Sequence, residues 1–208
     1  MGQARASLIW AALVVALGVP IALAAASPFL QWRDWIYITG GFAGIAALGL
    51  LLIQPLLIAG YLPGLSPARA RRLHRGIGGA LVVALLVHVA GLWITSPPDM
   101  ADALLFRSPT PFSPFGVVAM WAVFAVALLA LFRRRLGPRT WRVVHLSLAL
   151  VIVACSVVHA VLIEGAMETM SKAALCALVV IAAGKVIFDV WARNKKTRPM
   201  RSSSSGFK

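Results

Sequence analysis

Long unbroken apolar runs alternate with short polar connectors along the chain. The runs fall at about residues 7–26, 36–60, 76–95, 115–132, 143–163 and 173–192. Each has roughly the 17 to 25 residues that carry an α-helix across the hydrocarbon of a bilayer. Within a run the apolar residues are continuous instead of alternating, and lipid offers no partner to an open sheet edge, so strands are excluded. The connectors "YLPGLSPARARR", "SPPDMADALLFRSPTPFSPF", "RRRLGPRT" and "EGAMETMSK" contain the expected helix breakers. The pattern predicts an all-α polytopic membrane protein, a six-transmembrane-helix bundle over residues 1–192. The remainder, 193–208, reads as a basic, low-complexity cytoplasmic tail that is disordered or lies on anionic lipid.

Composition supports the bilayer and charge orients the chain in it. Of the 208 residues, 61% are hydrophobic and only 12% charged, with a mean hydropathy of +0.89. That is too apolar for a soluble domain of this size. The net charge of +14 does not imply nucleic acid, because the basic residues sit between apolar runs with no soluble domain to form a groove; membrane lipid is the expected partner. Sixteen of the 20 basic residues fall on one side: Arg5, the loop with Arg69, Arg71, Arg72 and Arg75, the loop with Arg133, Arg134, Arg135, Arg139 and Arg142, and the tail. The opposite loops hold Arg33, Arg107 and Lys172 among several carboxylates. The positive-inside rule therefore predicts both termini in the cytoplasm. The first run is expected to be a retained helix, although "AAASP" also offers a small-residue signal cleavage site. Cys155 and Cys176 lie inside apolar runs, as small hydrophobes without a disulfide.

The chain has four histidines, and they form two pairs with the same spacing of fourteen: His74 and His88 on the third span, His145 and His159 on the fifth. Fourteen helical steps return a side chain to within roughly 40° of the same face, about 21 Å further along. The third and fifth spans run in the same direction. His74, flanked by Arg72 and Arg75, and His145, three residues after Arg142, therefore share the cytoplasmic depth; His88 and His159 share the outer one. Ionisable groups in a membrane are costly enough to signal function. Two imidazoles on opposite sides, twice along the membrane normal, suit the two axial ligands of two haems. One zinc ion cannot gather all four, since its bonds of about 2 Å cannot bridge the two depths. The competing reading makes the histidines polar glue between helices.

Other residues carry weaker expectations. Arg72, Arg75 and Arg142, with Arg139, are placed to pair with the propionates of an inner haem, as the positive-inside rule also requires. Arg107 and Lys172 are the nearby cations for an outer one. Gly76, Gly78 and Gly79 would clear room for a macrocycle or simply for helix packing. Lys185 and Asp189 form an expected ion pair near the cytoplasmic side, with a flavin or quinone contact as the alternative. Gln54 with Pro55 reads as a kink. Trp93 is a candidate haem or electron-path neighbour, and Glu164 and Glu168 are expected to be solvated loop carboxylates, with proton gating on the outer side as the alternative.

The segments "RRLHRGIGGALVVALLVHVAG" and "WRVVHLSLALVIVACSVVHAVL" resemble the haem-binding third and fifth helices of the ferric reductase-like transmembrane domain. That superfamily includes eukaryotic ferric reductases, NADPH oxidases and the bacterial haem-binding subunit of the periplasmic methionine sulfoxide reductase system, the last being the closer analogue. The resemblance implies two b-type haems, His74 and His145 on the inner, His88 and His159 on the outer. It implies a cytochrome of the bacterial inner membrane that carries electrons from cytoplasm to exterior. No flavin or nicotinamide fingerprint is visible, so the expected donor is a separate flavoprotein, a quinol or a bound flavin such as FMN, and the expected acceptor a periplasmic reductase. A self-sufficient ferric or oxygen reductase, and a non-redox transporter or assembly protein, are the competing functions.

Overall fold

The computed structural model describes residues 2–196, with side chains described through residue 192. Seven α-helices follow in order: α1 (Gly2–Ala25), α2 (Trp35–Ala59), α3 (Pro67–Thr95), α4 (Pro97–Leu104), α5 (Ser113–Leu131), α6 (Pro138–Leu162) and α7 (Thr169–Lys196). All but the short α4 are long and apolar enough to cross a membrane, and the described residues contain no strand. The chain is thus a six-span helical bundle, with α4 an addition in the connector after α3.

Local chemistry sets the helix ends. The Asp34 carboxylate accepts from the Ile36 N–H at 2.7 Å at the start of α2, and Ser66 caps α3 by accepting from Arg69. Such caps are worth about 1 kcal/mol each. Proline stands in the first turn of α3, α4, α5 and α6, where its missing N–H costs nothing. At the end of α2, Gly60 adopts a left-handed φ of 73° and its N–H reaches back to the carbonyls of Leu56 and Leu57. Pro67 and Pro138 start α3 and α6 nine and five residues before the apolar runs begin. Arg69, Arg71, Arg72, Arg75, Arg139 and Arg142, expected in loops, therefore lie on the first turns of these helices. Likewise α7 continues to Lys196, four residues into the expected tail, and 197–208 lie outside the described residues.

The core joins α2, α3, α5, α6 and α7 through Leu48, Leu51, Leu52, Leu81, Val123, Ile152, Leu175 and Val179. Leu17 of α1 packs against the same cluster, close to Gly49. In lipid this close packing, rather than removal of apolar surface from water, holds helices together. Two antiparallel hairpins, α2 with α3 and α5 with α6, make the most extensive pairings, and α7 bridges them through α2 and α6. In contrast, α3 and α6 do not pack closely on each other. Among the described residues, α6 buries only Ile152, and α3 only Ala70, Leu81 and Gly91. Cys155 and Cys176 are free thiols.

Candidate functional site

His74 of α3 and His145 of α6 meet across the interval between the two helices. The His74 and His145 rings lie with their centres 6.2 Å apart and their planes at 69°. His88 and His159, further along the same two helices, are close enough to interact electrostatically. All four side chains are half-buried. Sequence spacing paired the histidines by depth; the fold sets the His74 and His145 rings against each other and leaves His88 and His159 within electrostatic reach.

The two far-side rings are held in matching ways. His88 Nδ1 hydrogen-bonds the Gly40 carbonyl at 2.8 Å, and His159 Nδ1 hydrogen-bonds the Phe112 carbonyl at 2.9 Å. A neutral imidazole bonded so through Nδ1–H leaves the Nε2 lone pair free for a metal. Four residues after each carbonyl a glycine lies against the ring. A Cβ on Gly44 would stand 2.9 Å from His88 Nδ1, and one on Gly116 would stand 2.7 Å from His159 Nδ1. Side chains cannot approach that closely, so these glycines let the imidazoles press on the neighbouring backbone. The helices of the first hairpin also close on each other at glycines, where a Cβ on Gly91 would lie 3.0 Å from the Gly40 Cα. The hairpins thus repeat one device, carbonyl, glycine and histidine.

The arginine-side pair is held differently. With its amide turned so that both ends are satisfied, Gln54 donates to His74 Nδ1, and its carbonyl accepts from the Gly78 N–H at 2.8 Å. Gln54, read from sequence only as part of a kink, belongs to the site; a polar residue in an apolar run was the signal, but nothing in sequence tied it to His74. His145 Nδ1 is buried with no hydrogen-bond partner among the described residues. Instead the Trp141 ring stacks on His145, centres 5.1 Å apart and planes 21° apart.

Arg72, Arg75 and Arg142 are exposed, with Arg75 near enough to His74 to interact electrostatically. Gly76 and Gly79 face open space, whereas Gly78 faces Gln54. Lys172 is not a free cation for the far side: it is buried, and its ammonium donates to the Ile163 carbonyl at 2.7 Å, closing the end of α6. Glu168, expected as a solvated loop carboxylate, is exposed but accepts from the N–H groups of Ser171 and Met170 at the start of α7. Lys185 and Asp189 form the expected ion pair at 2.5 Å, and Tyr61 joins it by donating its hydroxyl to Asp189. Trp93 is about half exposed.

Comparison with curated proteins and with solved structures gives no match. The sequence model of the family described as ferric reductase like transmembrane component matches residues 40–156, more than half of the chain, from Gly40 through His74, His88 and His145 to three residues short of His159. The chain belongs to the ferric reductase-like transmembrane component family, a family of membrane redox modules.

Proposed function

We propose that this protein is a b-type cytochrome of the bacterial inner membrane. It carries electrons between the two sides of the bilayer through two bis-histidine haems, one held by His74 and His145, the other by His88 and His159. The observation that carries this reading is the opposed placement of the His74 and His145 imidazoles on two helices that do not pack closely on each other. Two imidazoles bonded at about 2 Å to opposite sides of one metal have ring centres roughly 6 Å apart, close to the 6.2 Å between His74 and His145. The fit extends to the donor set: the Nδ1 of His88 and of His159 already has a backbone acceptor, which leaves Nε2 as the ligand atom.

When bound, haem iron supplies reversible one-electron chemistry. The chain's own residues do the rest. His88 and His159 are fixed by the carbonyls of Gly40 and Phe112. Arg72, Arg75 and Arg142 offer guanidinium groups for propionate carboxylates at the arginine-rich end. With that end in the cytoplasm, electrons enter there from a flavoprotein or a quinol, with FMN as a further candidate cofactor, and leave at the far side to a periplasmic reductase.

A reduced-minus-oxidised spectrum of protein purified from haem-replete cells tests the reading. The expected result is a b-type absorption band with two haems per chain. Replacing His88 or His159 by alanine should remove one haem and spare the other, and replacing His74 or His145 should do the reverse. Colourless protein, or loss of all haem from every single substitution, would overturn the two-level arrangement.

A further inference from the structure

The two hairpins are alike in register but not in polarity. Gly44 in α2 and Gly116 in α5 occupy the same place against a histidine ring. Ten residues past Gly44 stands Gln54; ten past Gly116 stands Val126. On the partner helices, Gly78 follows His74 by four residues and Ala149 follows His145 by four. A Cβ at Gly78 would lie 3.2 Å from the end of the Gln54 amide that faces it, so the glycine makes the space that the amide occupies. The second hairpin has neither the amide nor that space, and its His145 Nδ1 is the buried polar side-chain atom left without a partner among the described residues.

Resting on the bis-histidine haem reading, we infer that Gln54, seated against Gly78, is a positioning residue for His74, and that it makes His74 a stronger iron ligand than its facing partner His145. An imidazole that gives Nε2 to a metal carries its proton on Nδ1 and needs an acceptor there. An amide suits this role because it has two ends: its N–H₂ serves a free Nδ1, and its carbonyl, turned over, serves an Nδ1–H. The Gly78 N–H keeps an alternative acceptor in the His74 carbonyl one helical turn back. A backbone carbonyl, which holds His88 and His159, has no such second end. His145 keeps its orientation through the face of Trp141 and gains no basicity from a hydrogen bond. The arginine-side haem thus has one supported and one bare ligand, and the far-side haem two supported ones.

The test compares the haem-loaded protein with Q54M, which keeps length and removes both polar ends, and with V126Q/A149G, which transplants the device to the second hairpin. Redox titration followed by absorbance, together with the low-spin electron paramagnetic resonance signals, reads each level separately; the level lost in H74A is the one concerned. Q54M should move that midpoint potential to a more positive value, because a less basic ligand favours ferrous iron. It should also weaken haem retention at that level about 10- to 100-fold and leave the other potential in place. V126Q/A149G should move the same potential in the negative direction. If both haems are present and Q54M moves neither potential, or moves only the other one, the inference is overturned. Should Q54M not accumulate in membranes, an unchanged potential in V126Q/A149G overturns it instead. Wild-type protein without haem removes the underlying reading and this inference with it, an outcome plainly different from two haems that ignore Gln54.

Discussion

At the scale of single residues, glycine decides how near a histidine can come to its anchor. Gly44 and Gly116 give up a side chain, and in return the His88 and His159 rings reach the carbonyls of Gly40 and Phe112. Alanine at either position puts a methyl group inside contact distance of an imidazole nitrogen. The ring or the helix must then shift, at about 1–3 kcal/mol for an overpacked site. G116A should therefore lose far-side haem while keeping arginine-side haem, read as haem per chain in the difference spectrum; G44A should act the same way through His88. Full retention of both haems in both variants would mean that the rings are not held as described. The histidines and their spacing were legible in sequence because an imidazole in an apolar run is conspicuous. Gln54, Trp141 and the two glycines were not, since their roles depend on contacts between residues far apart in the chain.

At the scale of elements, the connector between α6 and α7 is tied at both ends. Lys172, buried, donates to the Ile163 carbonyl, and Glu168 accepts from the first N–H groups of α7. K172M leaves that carbonyl without its partner, and a buried unsatisfied acceptor costs about 1–3 kcal/mol. A lower melting temperature in detergent, with unchanged helix content at room temperature, is the expected result. The N–H groups of Ser171 and Met170 hold the Glu168 carboxyl below the ordinary glutamate range. A depressed folded-state value stabilises the fold above the unfolded value and loses that contribution as pH falls through the folded one. Wild-type melting temperature should therefore drop as pH is lowered past about 4.3, the ordinary glutamate value, and E168Q should flatten that part of the profile. Equal slopes in the two proteins would show that the capping carboxylate contributes nothing measurable. The hydropathy pattern revealed the six spanning helices but neither α4 nor where the spans start. Pro67 and Pro138 open α3 and α6 well outside the apolar runs, because a proline's fixed φ favours the first turn whatever the hydropathy beyond it.

At the scale of the whole molecule, the arginines crowd one end of the bundle and the Gly40 and Phe112 anchors mark the other. A reporter that is active only in the cytoplasm should work when fused after Lys208 and fail when inserted beside Arg107. The reverse pattern would invert the proposed direction of electron flow while leaving the histidine geometry intact. Hydrophobic run length fixed the number of spans, because a helix must satisfy its own backbone in lipid and needs a set length to cross it. Equal spacing of fourteen fixed which histidines share a depth, because helical rise and rotation are the same in every helix. Only the tertiary structure decided what each ring rests on, that α3 and α6 meet through their imidazoles without packing closely, and that one hairpin supports its arginine-side histidine with an amide while the other does not. Those features depend on how side chains of different helices interlock, and periodicity along a single helix carries no information about its neighbour.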